Sequence, residues 1–331
     1  MNRIFISFLI LILMVGNCLP SGLNIVNPLI RKKLILDKIS TAPGCSYNLR
    51  RVNSQYTGPI VNCRRTTDSV ARDIYYNSDG TVCQYDLNIF NSGRSNCTVD
   101  VWYDQSGNNR HQYQSVAADQ PGIYTNGTIN TLKGTPALLF NGSSDYFQSN
   151  DFNTNNPGVQ YTFMLKSNQG LTFNYLGSGW GSGGSLTMLV EGSTGTGYPS
   201  FRSSQNYNNN ALCSLSAVNS GGTNTINYPY TSYVACFLGN TTLSQFSTTY
   251  NTVYINSIVF GQPGAPSANT LPTYVGLTNS LAVGIRSTNG AGGYWTGYMI
   301  DNICWPVVLN PSDVENLGLN QFKYAGILTG Q

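Results

Sequence analysis

Short apolar runs separated by turn-forming residues limit the possible folds of this 331-residue chain more than any other feature. The runs are rich in β-branched and aromatic residues, and clusters of Gly, Asn, Ser and Pro lie between them, which is typical of β-strands joined by turns. We therefore predict an all-β fold built from two packed sheets. The runs occupy residues 98–103, 136–140, 161–165, 186–190, 233–238, 252–260, 281–285 and 295–308.

One short helix is predicted, close to the C-terminus. Asn310 is a capping residue, Pro311 suits the first helical position, and Asp313 and Glu315 place negative charge in the first turn. The predicted architecture is thus a pair of sheets with one C-terminal helix.

The N-terminus has the proportions of a secretory signal peptide. Arg3 precedes an apolar run over residues 4–15, which is too short to span a bilayer, and small or turn-forming residues follow. We predict a signal peptide over 1–21, a basic linker over 22–44 and one domain over 45–331, secreted and without a membrane span.

The chain contains eight cysteines and none of the closely spaced pairs that indicate zinc or redox chemistry. This pattern fits disulfides in an oxidising compartment. Connectivity does not follow from sequence, so other pairings stay open. Proximity along the chain favours Cys45 with Cys63, Cys83 with Cys97, and Cys213 with Cys236, and leaves Cys304 unpaired.

Asn-x-Ser/Thr sequons begin at Asn96, Asn126, Asn141 and Asn240. They are glycosylation sites if the protein passes through a eukaryotic secretory pathway, and chance matches in an Asn-rich and Thr-rich chain otherwise.

Nucleic acid and cofactors are not predicted partners. Charged residues make up 9% of the chain, and much of the basic excess precedes residue 45, with no Lys/Arg stripe interleaved with aromatics after it. His111 is the single histidine, so neither a histidine-based metal site nor a Ser/His/Asp relay is readily assembled. The glycines of 177–184 precede no Lys-Ser/Thr, so they do not form a phosphate-binding loop.

Three stretches resemble laminin-G-like, concanavalin-type jelly-roll domains. They are VWYDQSGN at 101–108, PALLFNGSSDYF at 136–147, and WTGYMIDNICW at 295–305 followed by the C-terminal helix. A closer resemblance is to the catalytic domain of the fungal α-L-arabinofuranosidase B family, which has a similar Tyr-Asp-Gln-Ser-Gly-Asn turn with a histidine soon after it and a similar closing Asp-Val-Glu-Asn helix.

The resemblance covers most of residues 45–326. It implies a concanavalin-like β-sandwich and, if the chain is active, retaining hydrolysis of terminal arabinofuranosyl groups. The resemblance to laminin-G-like domains, which keep a structural Asp at the corresponding place, implies that Asp301 is a structural residue. Asp104 is expected to accept backbone N–H groups within its tight turn, or alternatively to contact a sugar.

Retaining hydrolysis needs two carboxyl groups about 5 Å apart. The family supplies a Glu that precedes Asn and an Asp in a Gly-rich loop. In this chain Gln205 precedes Asn206 at the corresponding place, and the loop at 284–290 has no carboxylate. Glu191 is the one acid between Asp151 and Asp301, so it is the remaining catalytic candidate and enzyme activity stays undecided.

Aromatic and amide side chains predict contact with carbohydrate. Sugar rings pack their C–H faces on aromatic rings, and amides satisfy their hydroxyl groups. The alternative is that these residues are core aromatics and parts of low-complexity loops. The candidate residues are Trp180, Tyr198, Asn206, Asn289 and Trp295.

The sequence thus predicts a secreted carbohydrate-active protein resembling an arabinofuranosidase catalytic domain. The alternatives are a non-catalytic, lectin-like glycan-binding or adhesive module and a structural surface protein. The expected partners are polysaccharides or the glycans of glycoproteins, with no cofactor and no metal.

Overall fold

The computed structural model describes residues 34–92, 96–149, 159–167, 174–181, 184–192, 199–204, 211–216, 233–239, 253–255, 258–260, 280–284, 294–305 and 309–326. Its strands in these ranges are β1 (Cys45–Asn48), β2 (Val61–Arg65), β3 (Ala71–Ile74), β4 (Asn96–Trp102), β5 (Gln112–Tyr113), β6 (Gly122–Thr125), β7 (Thr128–Ile129), β8 (Thr131–Leu132), β9 (Thr135–Pro136), β10 (Leu138–Asn141), β11 (Phe147–Ser149), β12 (Val159–Ser167), β13 (Asn174–Gly181), β14 (Gly184–Gly192), β15 (Pro199–Ser204), β16 (Ala211–Ser216), β17 (Tyr233–Gly239), β18 (Val253–Ile255), β19 (Ile258–Phe260), β20 (Ser280–Val283) and β21 (Thr296–Trp305). The helices are α1 (Gln84–Phe90), α2 (Pro311–Tyr324) and the 3-10 helix η1 (Ala117–Asp119).

The predicted all-β fold and C-terminal helix are confirmed. Helix α2 begins where its capping signal lies, because the Asn310 side chain accepts a hydrogen bond from the Asp313 N–H at 2.9 Å. Helix α1 was not predicted. Its N-cap is Cys83, whose Sγ accepts a hydrogen bond from the Asp86 N–H at 3.2 Å, and cysteine is not a usual capping residue. Neither α1 nor α2 has the length and apolar character of a transmembrane helix.

The described strands pair in antiparallel fashion, and the sheet network divides at β4. One edge of β4 pairs with β2, whereas its other edge pairs with β6 near the start and with β5 near the end. From β6 the pairing continues through β10 and β21 to β12 and β17. From β5 it continues through β11 and β20 to β13, β14 and β15. Strand β4 therefore belongs to both sheets.

The two sheets face each other across an aromatic core. Tyr47 of β1 lies 5.9 Å from Trp102 of β4, measured between ring centroids, and Trp102 lies 6.0 Å from Phe147 of β11. Phe147 in turn meets Phe140 of β10 edge-on at 6.1 Å. All four side chains are fully buried. Strand β10 belongs to the sheet that continues from β6, and β11 belongs to the sheet that continues from β5. The contact between Phe140 and Phe147 therefore packs one sheet against the other, and the fold is a β-sandwich.

Gly284 is required by this core. Its φ angle is +87°, and a Cβ atom at this position would lie 2.5 Å from the Phe140 ring. A side chain would be strained by the backbone and blocked by the ring.

The prediction that residues 22–44 form a basic linker is wrong from residue 34 onward, because the chain from that residue is part of the folded domain. Ile35, Leu36 and Ile39 are buried in the core, and the Leu36 N–H donates to the Val52 carbonyl at 3.0 Å. The Ser40 hydroxyl donates to Asp313 of α2 at 2.7 Å. The three apolar side chains of this short segment pack it against the core. Residues 1–33, including the predicted signal peptide, lie outside the described part.

Two of the predicted cysteine pairings are wrong. Cys45 lies beside Cys304, with 2.8 Å between their Sγ atoms, and Cys63 lies beside Cys97 at 2.6 Å. Cys83 is disulfide-bonded, whereas Cys97 is a free cysteine in the structure, so the two are not paired with each other. Strand pairing brings residues together irrespective of their separation in sequence, which proximity along the chain cannot capture. The side chains of Cys213 and Cys236 lie outside the described part.

Candidate functional site

The turn after β4 is built around the Asp104 carboxylate. Oδ1 accepts the backbone N–H groups of Ser46 at 2.8 Å and Ser106 at 2.9 Å. Oδ2 accepts the Ser106 hydroxyl at 2.7 Å and the Arg110 N–H at 3.0 Å. Asp104 is buried, and both of its oxygens are occupied by protein donors. Its role is therefore to hold the turn against β1, as predicted from the sequence.

Gln105, the next residue, ties this turn to the segment that follows β1. Its side-chain amide donates to the carbonyls of Asn48 at 3.1 Å and Arg50 at 2.8 Å, and its side-chain oxygen accepts the Val52 N–H at 3.1 Å. Asp104, Gln105 and Ser106 of the Tyr-Asp-Gln-Ser-Gly motif thus each make structural hydrogen bonds.

Asp301 is also a structural residue, as predicted. It is fully buried in β21 and forms an ion pair with Arg50 at 3.0 Å, while the Arg50 guanidinium lies 4.2 Å from the centre of the Tyr324 ring. Burial raises the pKa of Asp301, and the neighbouring Arg50 opposes that rise.

Three aromatic rings follow one another at the surface beside the Asp104 turn. The His111 ring meets Tyr103 edge-on at 5.0 Å and Tyr113 edge-on at 6.1 Å. Tyr113 is 47% exposed, so this row of rings reaches solvent. Tyr113 thus presents an exposed ring, and His111 and Tyr103 are half-buried beside it.

The protonation state of His111 is fixed by its surroundings. Burial lowers the pKa of the imidazole, and the nearby Asp104 opposes this shift in part. Nδ1 accepts the Asp104 N–H at 3.1 Å, so the neutral ring carries its proton on Nε2. The ring can therefore donate one hydrogen bond from Nε2.

A carboxylate lies beside the same rings. Asp73 Oδ1 accepts the Tyr103 hydroxyl at 2.8 Å and the Asn62 side-chain amide at 2.7 Å. Burial, followed by this contact with Asp73, holds the pKa of Tyr103 well above its usual value, so the phenol stays protonated. We call the surface formed by Asn62, Asp73, Tyr103, His111 and Tyr113 the Tyr103 face.

The Tyr103 face combines aromatic surface with groups that accept and donate hydrogen bonds. This combination matches a carbohydrate, whose rings have apolar C–H faces and polar hydroxyl edges. Within the described part of the chain, no group of three or more His, Cys, Asp or Glu side chains is placed to bind a metal ion.

The prediction that Trp295 belongs to a binding face is wrong. Its side chain is fully buried in the core, so a sugar cannot pack on it. Glu191 lies in β14 opposite Ser200 of β15, and Trp180 lies in β13 opposite Ser185, but their side chains are outside the described part. Tyr198, Asn206 and Asn289 are likewise outside the described residues.

The sequons differ in their surroundings. Asn126 is exposed in the turn between β6 and β7, and its N–H donates to the Asn96 side-chain oxygen at 3.0 Å. The Asn141 amide nitrogen donates to Ser144 at 3.0 Å and to Asp145 at 2.7 Å, so a glycan on that nitrogen would disturb the turn. Asn240 lies outside the described residues. Glycosylation at these positions stays a prediction.

Sequence reasoning did not find the Tyr103 face. Tyr103, His111 and Tyr113 lie within one short stretch of sequence, and their spacing is the local signal that could have revealed the three rings. Asp73 and Asn62 reach them through the pairing of β2 with β3 and β4, where Asn62 lies opposite both Asp73 and Val101. No local pattern reveals that pairing.

Comparison with protein-family models and with curated protein sequences gives no match. Comparison with solved structures shows a β-sandwich fold like that of glycoside hydrolases. The chain is similar to a GH54 α-L-arabinofuranosidase soaked with a cyclic sulfate inhibitor, with a TM-score of 0.64 and 15% identity over 89% of this chain and 66% of that one.

Two further arabinofuranosidase structures are similar. One is a mutant GH54 enzyme soaked with 4-nitrophenyl α-L-arabinofuranoside, with a TM-score of 0.63 and 15% identity over 90% of this chain and 66% of that one. The other is an enzyme complexed with arabinofuranosyl-α-1,2-xylobiose, with a TM-score of 0.59 and 15% identity over 90% of this chain and 65% of that one. The chain spans about two thirds of the length of these enzymes, and at this identity the likeness shows the fold.

Proposed function

We propose that this protein is a secreted carbohydrate-active protein that binds glycans at the Tyr103 face. The observation that carries the proposal is the row of rings formed by Tyr103, His111 and Tyr113 beside the Asp73 carboxylate. A sugar ring packs its C–H face on the exposed Tyr113 ring. Its hydroxyl groups donate to Asp73 and accept from the Nε2–H of His111.

Arabinofuranosyl groups are the proposed ligands. The likeness in fold to three arabinofuranosidases, two of them bound to arabinofuranosides, supports this choice. A terminal furanosyl group is also small enough to lie on two adjacent rings. Polysaccharide side chains and the glycans of glycoproteins both present such terminal sugars.

The small number of acidic residues favours glycan binding without hydrolysis. The chain has 14 acidic residues, and two of them are Glu. Glu191 would need a second carboxylate about 5 Å away to act in a retaining mechanism. Four of the acids in the three matching stretches and the C-terminal helix, Asp104, Asp145, Asp301 and Asp313, are engaged in structural contacts.

The test compares glycan binding by matched tyrosine variants. Purified protein is applied to an array that contains arabinan, arabinoxylan and arabinofuranosyl oligosaccharides. Tyr113→Ala removes an exposed ring of the Tyr103 face and is expected to weaken binding at least fivefold. Tyr85→Ala, a similarly exposed tyrosine on α1, is the control and is expected to bind as the unmodified protein does.

Equal binding by both variants would contradict the proposed site, and the absence of binding to every arabinosyl glycan would contradict the proposed ligand. Incubation with 4-nitrophenyl α-L-arabinofuranoside decides between binding and hydrolysis. Nitrophenol release that is lost in Glu191→Gln would show hydrolysis and would overturn the non-catalytic form of the proposal.

A further inference from the structure

Cys45 and Cys304 lie opposite each other on β1 and β21, the first and last described strands in chain order. They are direct partners in the antiparallel register of β1 and β21, and their Sγ atoms are 2.8 Å apart. Both are fully buried. The two residues are 259 positions apart in sequence, and the pairing of β1 with β21 is what brings them together.

Cys63 and Cys97 form a second, independent pair. They lie in the neighbouring strands β2 and β4, and their Sγ atoms are 2.6 Å apart. Both are fully buried. A register shift between Asn62 and Cys63 offsets the strands, so that Cys63 lies opposite Val99 and meets Cys97 diagonally.

Other roles for these cysteines fit less well. A metal site needs three or more ligands, and no such group occurs among the described residues. Buried cysteines also serve as small apolar side chains, but that role does not require two of them to face each other with their Sγ atoms within 2.8 Å, which occurs twice among the described residues. The four thiols are free in this structure, and a shift of less than 1 Å would bring each pair to the S–S bond length of about 2.05 Å. Structural disulfides are common in exported proteins.

We propose that Cys45–Cys304 and Cys63–Cys97 are disulfide bonds in the exported protein. Each bond forms by thiol–disulfide exchange with a disulfide oxidant of the secretory compartment. One cysteine thiolate attacks the oxidant and releases one thiol. The second cysteine then attacks the mixed disulfide and releases the other, so two electrons and two protons pass to the oxidant for each bond.

All four cysteines are fully buried in the folded domain, so an oxidant can reach them only before the core closes. Burial raises the pKa of the Cys63 and Cys304 thiols, which suppresses the reactive thiolate once the domain is folded. The same burial protects the finished bonds from external reductants. Together they fasten β1 to β21 in one sheet and β2 to β4 at the strand that both sheets share.

The test is peptide mapping of the full chain exported from a eukaryotic secretory host. The protein is denatured in excess N-ethylmaleimide without a reductant, digested and analysed by mass spectrometry. The expected result is a peptide containing Cys45 linked to one containing Cys304, and a peptide containing Cys63 linked to one containing Cys97. Each linked pair separates on reduction.

Four N-ethylmaleimide adducts on these cysteines, or linkage in another pattern, would overturn the proposal. A Cys45→Ala variant gives a second readout that does not depend on its stability. Under denaturing conditions Cys304 should carry one new adduct, while the Cys63–Cys97 peptides stay linked. Loss of the second link in this variant would contradict two independent bonds.

Discussion

Replacing Asp104 with Ala removes all four hydrogen bonds that the carboxylate accepts. The Ser46 N–H is fully buried, so it cannot turn to water. Leaving it without a partner costs about 2–3 kcal/mol, whereas the donors of Ser106 and Arg110 are partly exposed and lose about 0.5 kcal/mol each once water replaces the carboxylate. The expected loss in unfolding free energy is about 4 kcal/mol.

Asp104→Asn keeps the shape of the side chain but replaces one of the two accepting oxygens with an NH₂ donor. The amide oxygen can keep the Ser46 and Ser106 N–H groups, but the amide nitrogen then faces the Arg110 N–H, and two donors meet. The expected loss is about 2 kcal/mol, half that of the alanine variant. Asp79→Asn is a matched control, because Asp79 also accepts bonds from a nearby turn residue but is exposed.

Urea denaturation followed by tryptophan fluorescence measures these changes, since Trp102 and Trp305 are buried and report on the core. The order of stability is expected to be unmodified protein, then Asp104→Asn, then Asp104→Ala, with Asp79→Asn within about 0.5 kcal/mol of the unmodified protein. An alanine variant that loses less than about 1 kcal/mol would refute the structural role of Asp104.

Two further predictions concern pH and backbone conformation. Burial raises the pKa of Asp145 to about 7, so between about pH 4 and pH 7 the folded protein retains a proton that the unfolded chain releases. The unfolding free energy should therefore fall as the pH rises through this range. Asp145→Asn should make the urea midpoint less dependent on pH over the same range. Gly284→Ala should lower the unfolding free energy by about 2–4 kcal/mol, because it combines a positive φ with a steric clash. Gly107→Ala is the control, since its φ is +93° but the space around it is open, and it should lower the unfolding free energy by about 1 kcal/mol in the same assay.

Local signals in the sequence were sufficient for much of the fold. Alternating apolar runs predicted the strands, and the Asn310 cap predicted the start of α2, because strand and cap preferences depend on residues a few positions apart. The structural role of Asp104 followed from the turn chemistry of its motif in the same way.

Features that depend on long-range pairing were not predicted. Cys304 was expected to be unpaired, since nothing near it in sequence reveals that β21 pairs with β1. Trp295 was expected at a surface, and periodicity does not tell which sheet face a given aromatic residue occupies in a two-layer fold. The burial of Ile35 and Leu36 also depends on a tertiary partner, the chain near Val52.

The Tyr103 face depends both on local sequence and on long-range strand pairing. Its rings come from one stretch of sequence, whereas Asp73 arrives from another strand through the register of β2 and β3. The proposed binding site could therefore be assembled only from the structure.

His111 gives the most direct measurement of whether this face binds carbohydrate. It is the single histidine of the chain, so its imidazole produces one unambiguous set of NMR signals. Titration with an arabinofuranosyl oligosaccharide should shift these signals in proportion to bound ligand, and Tyr113→Ala should reduce the affinity read from the same signals. Saturable binding that leaves the His111 signals unmoved would contradict glycan recognition at the Tyr103 face.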